Sequence, residues 1–294
     1  MSSSQSGQLF PAEWPERIRA LQAGELVPVE PRRAATVLLL RDGGGGPLVH
    51  MLRRRTTMAF AGGAYAYPGG AVDPRDEGEL EWAGAGRQEW AERLGTDAAS
   101  AQALVCAAVR ETFEESGVLL AGPDEHAVVD DTTGDDWEAD RAALAAHELS
   151  LADLLARRGL ALRGDLLRAW ARWVTPEFET RRYDTWFFAA ALPRGQRTRN
   201  ASTEADRTVW VRPEDATAGY DRGELTMLPP TISTLRRLVG HRTAADALAA
   251  ARTQDLTPVL AEARLEGEEI VLVWPGHEEF TKRVARTPGE GEPR

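Results

Sequence analysis

Three glutamates stand close together near the middle of the chain, in the sequence Arg-Glu-Thr-Phe-Glu-Glu-Ser-Gly-Val at residues 110–118. At about 100° per residue, a helix would place Glu111, Glu114 and Glu115 within an arc of about 100°. Gly117 stands where a left-handed glycine would end that helix. The opposite side carries a predicted core stripe, formed by Val105, Val109, Thr112, Phe113 and Ser116.

The acidic cluster is unfavourable for an ordinary surface helix. Glu111 and Glu115 are like charges four residues apart, and the acids lie in the last turn, where the helix dipole disfavours negative charge. Each penalty is only about 0.2–1 kcal/mol, so a solvated acidic face is one interpretation. A divalent cation is the other, because Mg²⁺ binds carboxylate oxygens and keeps water and substrate phosphates as further ligands.

The composition is that of an ordinary globular chain. Its 294 residues, 43% hydrophobic and 28% charged, are enough for a large core in one or two domains. The single cysteine, Cys106, excludes an internal disulfide and a cysteine zinc cluster, and we expect it to be a small buried residue.

Charge and hydropathy limit the partners. The net charge of −11 disfavours sequence-blind binding of DNA, although small phosphorylated substrates stay compatible with it. No apolar stretch approaches the roughly 20 residues that span a bilayer, and the sequence carries neither a secretory signal nor a Ser-Lys-Leu-type address. We therefore expect a cytoplasmic protein that does not enter a membrane.

Periodicity and turn residues divide the chain into alternating elements. The predicted strands cover residues 34–41, 47–54, 64–67, 181–191, 208–211 and 270–274. The predicted helices cover residues 14–21, 79–94, 142–158, 162–172, 232–239, 244–251 and 258–263, with a further helix beginning near Pro213. The helix at 79–94 carries two tryptophans, which could pack inside, cover a pocket mouth or form a partner surface.

Residues 110–118 resemble the second half of the Nudix box, Gly-x5-Glu-x7-Arg-Glu-U-x-Glu-Glu-x-Gly-U with U apolar, except at Thr112, where an aliphatic residue is usual. Residues 67–76, Tyr-Pro-Gly-Gly-Ala-Val-Asp-Pro-Arg-Asp, resemble the first half, with Asp76 in place of glutamate. Gly70 and Arg110 are about 40 positions apart against about 14 in the box, so about 26 residues are inserted. A box split in this way resembles the peroxisomal coenzyme A diphosphatase branch of the Nudix family, as do residues 58–73, 173–188 and 229–231.

The resemblance implies a Nudix-type α/β/α sandwich around a mixed sheet, enlarged by helical insertions. An N-terminal arm at 1–33 would precede a single domain at 34–283, and a flexible tail would follow at 284–294. The insertions would lie at 76–100, inside the box, and at 122–172.

The resemblance also implies an enzyme that hydrolyses a diphosphate with Mg²⁺ or Mn²⁺. Glu111, Glu114 and Glu115 would hold the metal, and the backbone carbonyl of Gly70 would contribute. Arg110 would brace the glutamates. Glycine at Gly69 and Gly70 would let the backbone approach metal and phosphate closely.

The base that deprotonates water stays open between Glu115 and Glu204. Glu204 is chosen as the downstream acid of the family because it precedes the strand at 208–211, with Asp206 as the alternative. The implied substrate is coenzyme A or acyl-coenzyme A, cut to 3′,5′-ADP and a 4′-phosphopantetheine. ADP-ribose, NADH, a capped RNA end and a non-catalytic nucleotide sensor are the alternatives, and a homodimer is left open.

Overall fold

A computed structural model describes residues 13–57, 61–267, 269–277 and 282–284. Its helices are α1 (Trp14–Gln22), α2 (Arg87–Leu94), α3 (Ala98–Ser116), α4 (Asp135–Ala145), α5 (Leu151–Arg158), α6 (Pro213–Asp221), α7 (Pro229–Arg236) and α8 (Ala244–Ala250). Its strands are β1 (Arg32–Gly43), β2 (Gly46–Arg54), β3 (Tyr65–Ala66), β4 (Gly69–Ala71), β5 (Trp82–Ala83), β6 (Ala121–Gly122), β7 (Ala161–Arg163), β8 (Leu167–Val174), β9 (Tyr183–Ala191), β10 (Ala205–Val211), β11 (Val259–Leu260), β12 (Glu262–Glu266), β13 (Glu269–Val273) and β14 (Lys282–Val284).

A mixed sheet of eight strands lies at the centre, in the order β10-β2-β1-β9-β8-β11, with β3 paired to β2 and β4 paired to β1. β1 runs parallel to β9, and β8 runs parallel to β11. Because side chains alternate along a strand, Val37 and Leu39 join a core with α2, α3 and α5, whereas Leu38 and Leu40 join another with α6, α7 and α8. Helices therefore cover both faces, which confirms the predicted α/β/α sandwich.

The predicted acidic helix forms as the end of α3. Asp97 caps its first turn by accepting a hydrogen bond from the Ser100 N–H, and Gly117 ends it with φ +73°. All five residues of the predicted core stripe are fully buried. Thr112, which stands where an aliphatic residue is usual, donates its hydroxyl to the Ala108 carbonyl, so its polar atom is satisfied inside the core.

Two predicted helices are interrupted. The helix expected at 79–94 is present only as α2, because Gly84 adopts φ +75° and Gly86 caps the helix start after the short strand β5. The helix expected at 142–158 is split into α4 and α5, since His147 is left-handed at φ +61° and Ser150 caps a new helix.

Two further predicted helices are wrong. Residues 162–172 do not form an α-helix: β7 ends at Arg163, Gly164–Leu166 form one 3-10 turn, and β8 begins at Leu167. The long-range pairing of β8 with β9 overrides the helix propensity of leucine, arginine and alanine. Residues 258–263 contain β11 and the start of β12 rather than a helix. The predicted insertion at 122–172 therefore contains helices but ends in β7 and in a strand of the central sheet.

Packing decides the role of two residues of the central segment. Trp90 of α2 is buried against Phe188 of β9, with ring centroids 5.5 Å apart, so this tryptophan of the box insertion belongs to the core. Cys106 is fully buried in α3, as expected. Among the residues described, no helix combines the length and apolarity needed to cross a membrane. The predicted tail lies outside the described residues apart from Val284.

His50 of β2 gives a pH-dependent prediction. Its ring is fully buried beside Trp210, and neither ring nitrogen has a hydrogen-bond partner within the described parts of the chain. Burial, followed by the charge of Arg41, lowers the pKa of His50 to about 4. Because that folded-state pKa lies below the unfolded value of about 6.5, protonation favours unfolding, and stability is lost as the pH falls from about 6.5 towards 4.

We expect His50→Leu to remove this part of the acid sensitivity, which amounts to about 3 kcal/mol at pH 4. Urea unfolding of wild type and variant at pH 7, 6 and 5 would measure it, with the exposed His126→Leu as control. An unchanged difference in unfolding free energy across that pH range would contradict the assignment.

Candidate active site

Arg110 is the centre of the hydrogen-bonding network at the end of α3. Its side chain is 3% exposed. Its Nη1 donates to Glu111 Oε1 at 2.8 Å and to Glu114 Oε1 at 3.3 Å, and its Nη2 donates to the Ala71 carbonyl at 3.1 Å. One guanidinium therefore fixes two of the three glutamates and ties the helix to β4.

Asp76 completes this network from the opposite side. Its fully buried carboxylate accepts from Arg110 Nε at 2.8 Å and Nη2 at 2.9 Å, a bidentate pair. It also accepts the N–H of Asp73 within a capping box of the turn Pro74–Glu77. Asp76 was not among the predicted site residues. Its position in the sequence, where the box has its first glutamate, could have identified it.

Glu115 has different hydrogen-bond partners from the other two glutamates. Its Oε2 accepts the backbone N–H of Gly69 at 2.9 Å, and its Oε1 accepts the hydroxyl of Ser202 at 3.2 Å. The turn that contains Gly69 and Gly70 (the glycine turn) and the segment before β10 thus meet at the carboxylate of Glu115. Ser202 was not predicted, because an isolated serine in a loop carries no sequence signal.

Gly70 allows the turn to approach Glu111 closely. A Cβ atom at position 70 would lie 2.3 Å from Glu111 Oε1, which is shorter than any tolerated contact. The absence of a side chain at position 70 is therefore a requirement of this approach.

We expect Gly70→Ala to lower activity more than stability. The flexible end of Glu111 can move away from the new methyl group, but a misplacement of about 1 Å in a catalytic group lowers rates by up to about a hundredfold. Steady-state kinetics and thermal unfolding would separate the two effects. Gly44→Ala is the matched control, because its added Cβ meets no atom within 4 Å.

Burial makes the negative charge of the cluster unfavourable in the protein alone. Burial raises the pKa of Glu111 to about 7, and the charge of Glu114 adds to that rise. Burial likewise raises the pKa of Glu115 to about 8, and the charge of Glu111 adds to that rise. The pKa of Glu114 is raised by burial as well. Glu111 and Glu114 share one arginine that Asp76 already pairs with, and the two donors of Glu115 are neutral, so additional positive charge would be favourable here.

The donor set fits a hard divalent cation, because every candidate ligand is an oxygen and Gly70 leaves the approach clear. The described residues contain no group of three or more His, Cys, Asp or Glu side chains already arranged around a metal position. Glu111 and Glu114 accept hydrogen bonds from Arg110, whereas Glu115 accepts from Gly69 and Ser202. Without a cation between them, like charges repel, and each carboxylate bonds to the donors around it. The structure thus brings the predicted ligands to one place but not into one coordination sphere.

Glu204 and Asp206 differ in their surroundings. Asp206 accepts from Arg53 Nε at 2.7 Å and Nη2 at 3.0 Å, so its carboxylate is engaged on the outer surface. The carboxylate of Glu204 is 59% exposed and lies near enough to Glu115 to raise the pKa of that residue. A bulge in the pairing of β10 with β2 lies between Ala205 and Arg207, so the strand begins irregularly next to Glu204. Glu204 is the better placed of the two predicted acids.

The second insertion also contributes to the site. Buried Arg141 of α4 donates to the carbonyl of Glu114 at 2.8 Å and to that of Ala201 at 3.3 Å. It thereby joins the last turn of α3 to the segment that carries Ser202 and Glu204. Nothing in the local sequence distinguishes Arg141 from a surface arginine.

A cleft of about 680 Å³ lies elsewhere, between the box insertion and α5. Its lining includes Trp82, Gln102 and Leu155 but none of the glutamates of the box. The candidate active site is therefore defined by its carboxylates and not by this cleft.

Comparison with known proteins agrees with this architecture. A family model described as the NUDT19 Nudix domain matches residues 85–238, just over half of the chain. A crystal structure of a NUDIX hydrolase from Alicyclobacillus acidocaldarius is 31% identical, with a TM-score of 0.64, and the match covers 78% of this chain and 99% of that one.

Two curated relatives are more distant. "Putative nudix hydrolase 7" of Caenorhabditis elegans is 26% identical over 212 residues, which are 70% of this chain and 60% of that protein. "Acyl-coenzyme A diphosphatase NUDT19" of Gallus gallus is 26% identical over 227 residues, which are 64% of this chain and 60% of that protein. The matched region thus spans about 60% of the length of these relatives.

The mixed sandwich, the acidic end of α3 and the glycine turn together define a Nudix hydrolase. The chain belongs to the Nudix hydrolase family and resembles its NUDT19 members.

Proposed function

We propose that this enzyme hydrolyses the diphosphate of coenzyme A or acyl-coenzyme A in a reaction that depends on Mg²⁺ or Mn²⁺. The products would be 3′,5′-ADP and the corresponding 4′-phosphopantetheine. The observation that carries the reaction class is that Glu115 bonds to the N–H of Gly69 and Glu111 lies against Gly70, while Glu114 shares Arg110 with Glu111. The substrate is supported by the similarity to relatives named as acyl-coenzyme A diphosphatases.

The glutamates would hold the divalent cation, which when bound neutralises phosphate charge and makes water more acidic. Arg110 fixes Glu111 and Glu114 from the buried side, so both carboxylates are positioned before substrate arrives. The Gly69 N–H and Ser202 orient Glu115. These contacts reduce the reorganisation that the reaction would need.

Glu204 is our proposed base. It is the exposed acid of the site, whereas Glu115 is only partly exposed and is bonded through both oxygens. In the reaction Glu204 would accept a proton from water while the water oxygen bonds to one phosphorus. The bond from that phosphorus to the bridging oxygen breaks, and the second phosphate leaves with the bridging oxygen.

Product analysis on a substrate panel tests the proposal. Coenzyme A, acetyl-coenzyme A, ADP-ribose, NADH and a capped oligonucleotide would each be incubated with Mg²⁺, with Mn²⁺ and with a chelator. Release of 3′,5′-ADP from the coenzyme A compounds, abolished by the chelator, is the expected result. Cleavage of another compound alone would reject the coenzyme A assignment, and nucleotide binding without any turnover would indicate a sensor.

A further inference from the structure

Three consecutive arginines lie at the end of β2: Arg53 and Arg54 are its last residues, and Arg55 follows it. Their environments differ. Arg53 makes the bidentate pair with Asp206, and Arg55 donates from Nε to the Thr203 carbonyl at 2.6 Å. The Nε of Arg54, by contrast, is buried and has no hydrogen-bond partner among the residues that the structure describes. Its Nη2 lies 3.7 Å from Glu204 Oε2, which is an ion pair but too long for a hydrogen bond.

Arg54 lies beside the candidate active site. It pairs in register with Ala205, the residue after Glu204. The backbone N–H of Glu204 bonds to the hydroxyl of Ser202, and that hydroxyl donates to Glu115. A short chain of contacts therefore leads from the guanidinium of Arg54 through Glu204 and Ser202 to Glu115.

A guanidinium has five N–H donors, and leaving one of them buried without an acceptor is unfavourable. A phosphate group supplies acceptors of the right geometry, because two of its oxygens can face the planar fork of a guanidinium. Among the three arginines, Arg54 is the one that retains a buried N–H for a ligand and stands next to the carboxylates.

We propose that Arg54 binds a phosphate group of the substrate at the edge of the glutamate cluster, with Glu204 holding its guanidinium in place. The assignment rests on the proposed function, since it deepens that function by naming a residue that binds the diphosphate. Arg54 is then a substrate-binding residue, whereas Arg53 and Arg55 fix the start of β10.

The test compares Arg54→Gln, Arg54→Lys and the adjacent Arg53→Gln, all with Mg²⁺ present. Arg54→Gln removes a charged hydrogen bond to phosphate. We therefore expect calorimetry to show about tenfold to a hundredfold weaker binding of inorganic pyrophosphate, and kinetics to show a KM raised to a similar extent. Arg54→Lys should fall between, because it keeps the charge but not the fork. Arg53→Gln should stay within about twofold of wild type, because its surface ion pair contributes little.

Equal pyrophosphate affinity of Arg54→Gln and wild type would overturn the proposal. So would an equal loss in Arg53→Gln, or a fall in kcat with KM and pyrophosphate affinity unchanged, since that pattern indicates a role only in positioning Glu204. If wild type hydrolyses no compound of the panel, the proposed function fails by itself, and the pyrophosphate titration still decides the role of Arg54.

Discussion

Replacing Glu114 with glutamine is expected to lower kcat/KM by at least about a hundredfold and to leave the fold intact. A loss of about 3 kcal/mol of transition-state stabilisation corresponds to that factor, and the electrostatic contribution of a catalytic cation is of this size. The amide retains the shape and can still accept from Arg110, so the bonds that hold the end of α3 survive. Because burial raises the pKa of Glu114, a neutral side chain should not destabilise the protein without metal.

A control variant and a measurement of metal binding make this expectation specific. Glu92→Gln removes an exposed acid of α2 and should behave as wild type. Added Mg²⁺ should raise the melting temperature of wild type and of Glu92→Gln by mass action, and should raise that of Glu114→Gln less. Full activity in Glu114→Gln would remove Glu114 from the metal ligands and with it the proposed site.

Replacing Asp76 with asparagine is expected to lower the free energy of unfolding by about 3–5 kcal/mol, the usual loss when one partner of a buried ion pair is removed. Asp76 is fully buried and accepts two hydrogen bonds from Arg110. Without its charge, Arg110 is left buried beside Glu111 and Glu114 alone. We expect the guanidinium to shift towards those carboxylates, so activity should fall together with stability.

Denaturant unfolding of Asp76→Asn measures the first effect, and kinetics below the transition temperature measure the second. Glu224→Gln is a matched control, because Glu224 makes a bidentate pair with Arg222 on the open surface, where both side chains are 59% exposed. Such exposed pairs contribute about 1 kcal/mol or less. If Asp76→Asn were no more destabilising than Glu224→Gln, the network around Arg110 would not organise the site as inferred.

Local sequence patterns predicted the parts of this protein that neighbouring residues encode. Helical periodicity placed Glu111, Glu114 and Glu115 on one side of α3 and its apolar stripe in the core, and Gly117 ended the helix as expected. The strands β1, β2 and β9 followed from short apolar runs between turn residues. These predictions succeeded because period, capping and glycine conformation act over a few residues.

Periodicity failed where distant pairing competes with local preference. Residues 162–172 are rich in residues that favour a helix, yet β8 is a strand because its backbone pairs with β9 and its side chains reach both cores. The tight turn at His147 likewise divided a helix that the residue types alone would continue.

The sequence by itself determined which acids and glycines could bind a metal and a phosphate, because residue types and short spacings carry that chemistry. Only the tertiary structure decided what positions them. Asp76 reaches Arg110 across the inserted segment, and Arg141 and Ser202 connect the end of α3 to the strand that follows Glu204. A buried ion pair or a shared carboxylate depends on which distant segments fold together, and no local spacing records that.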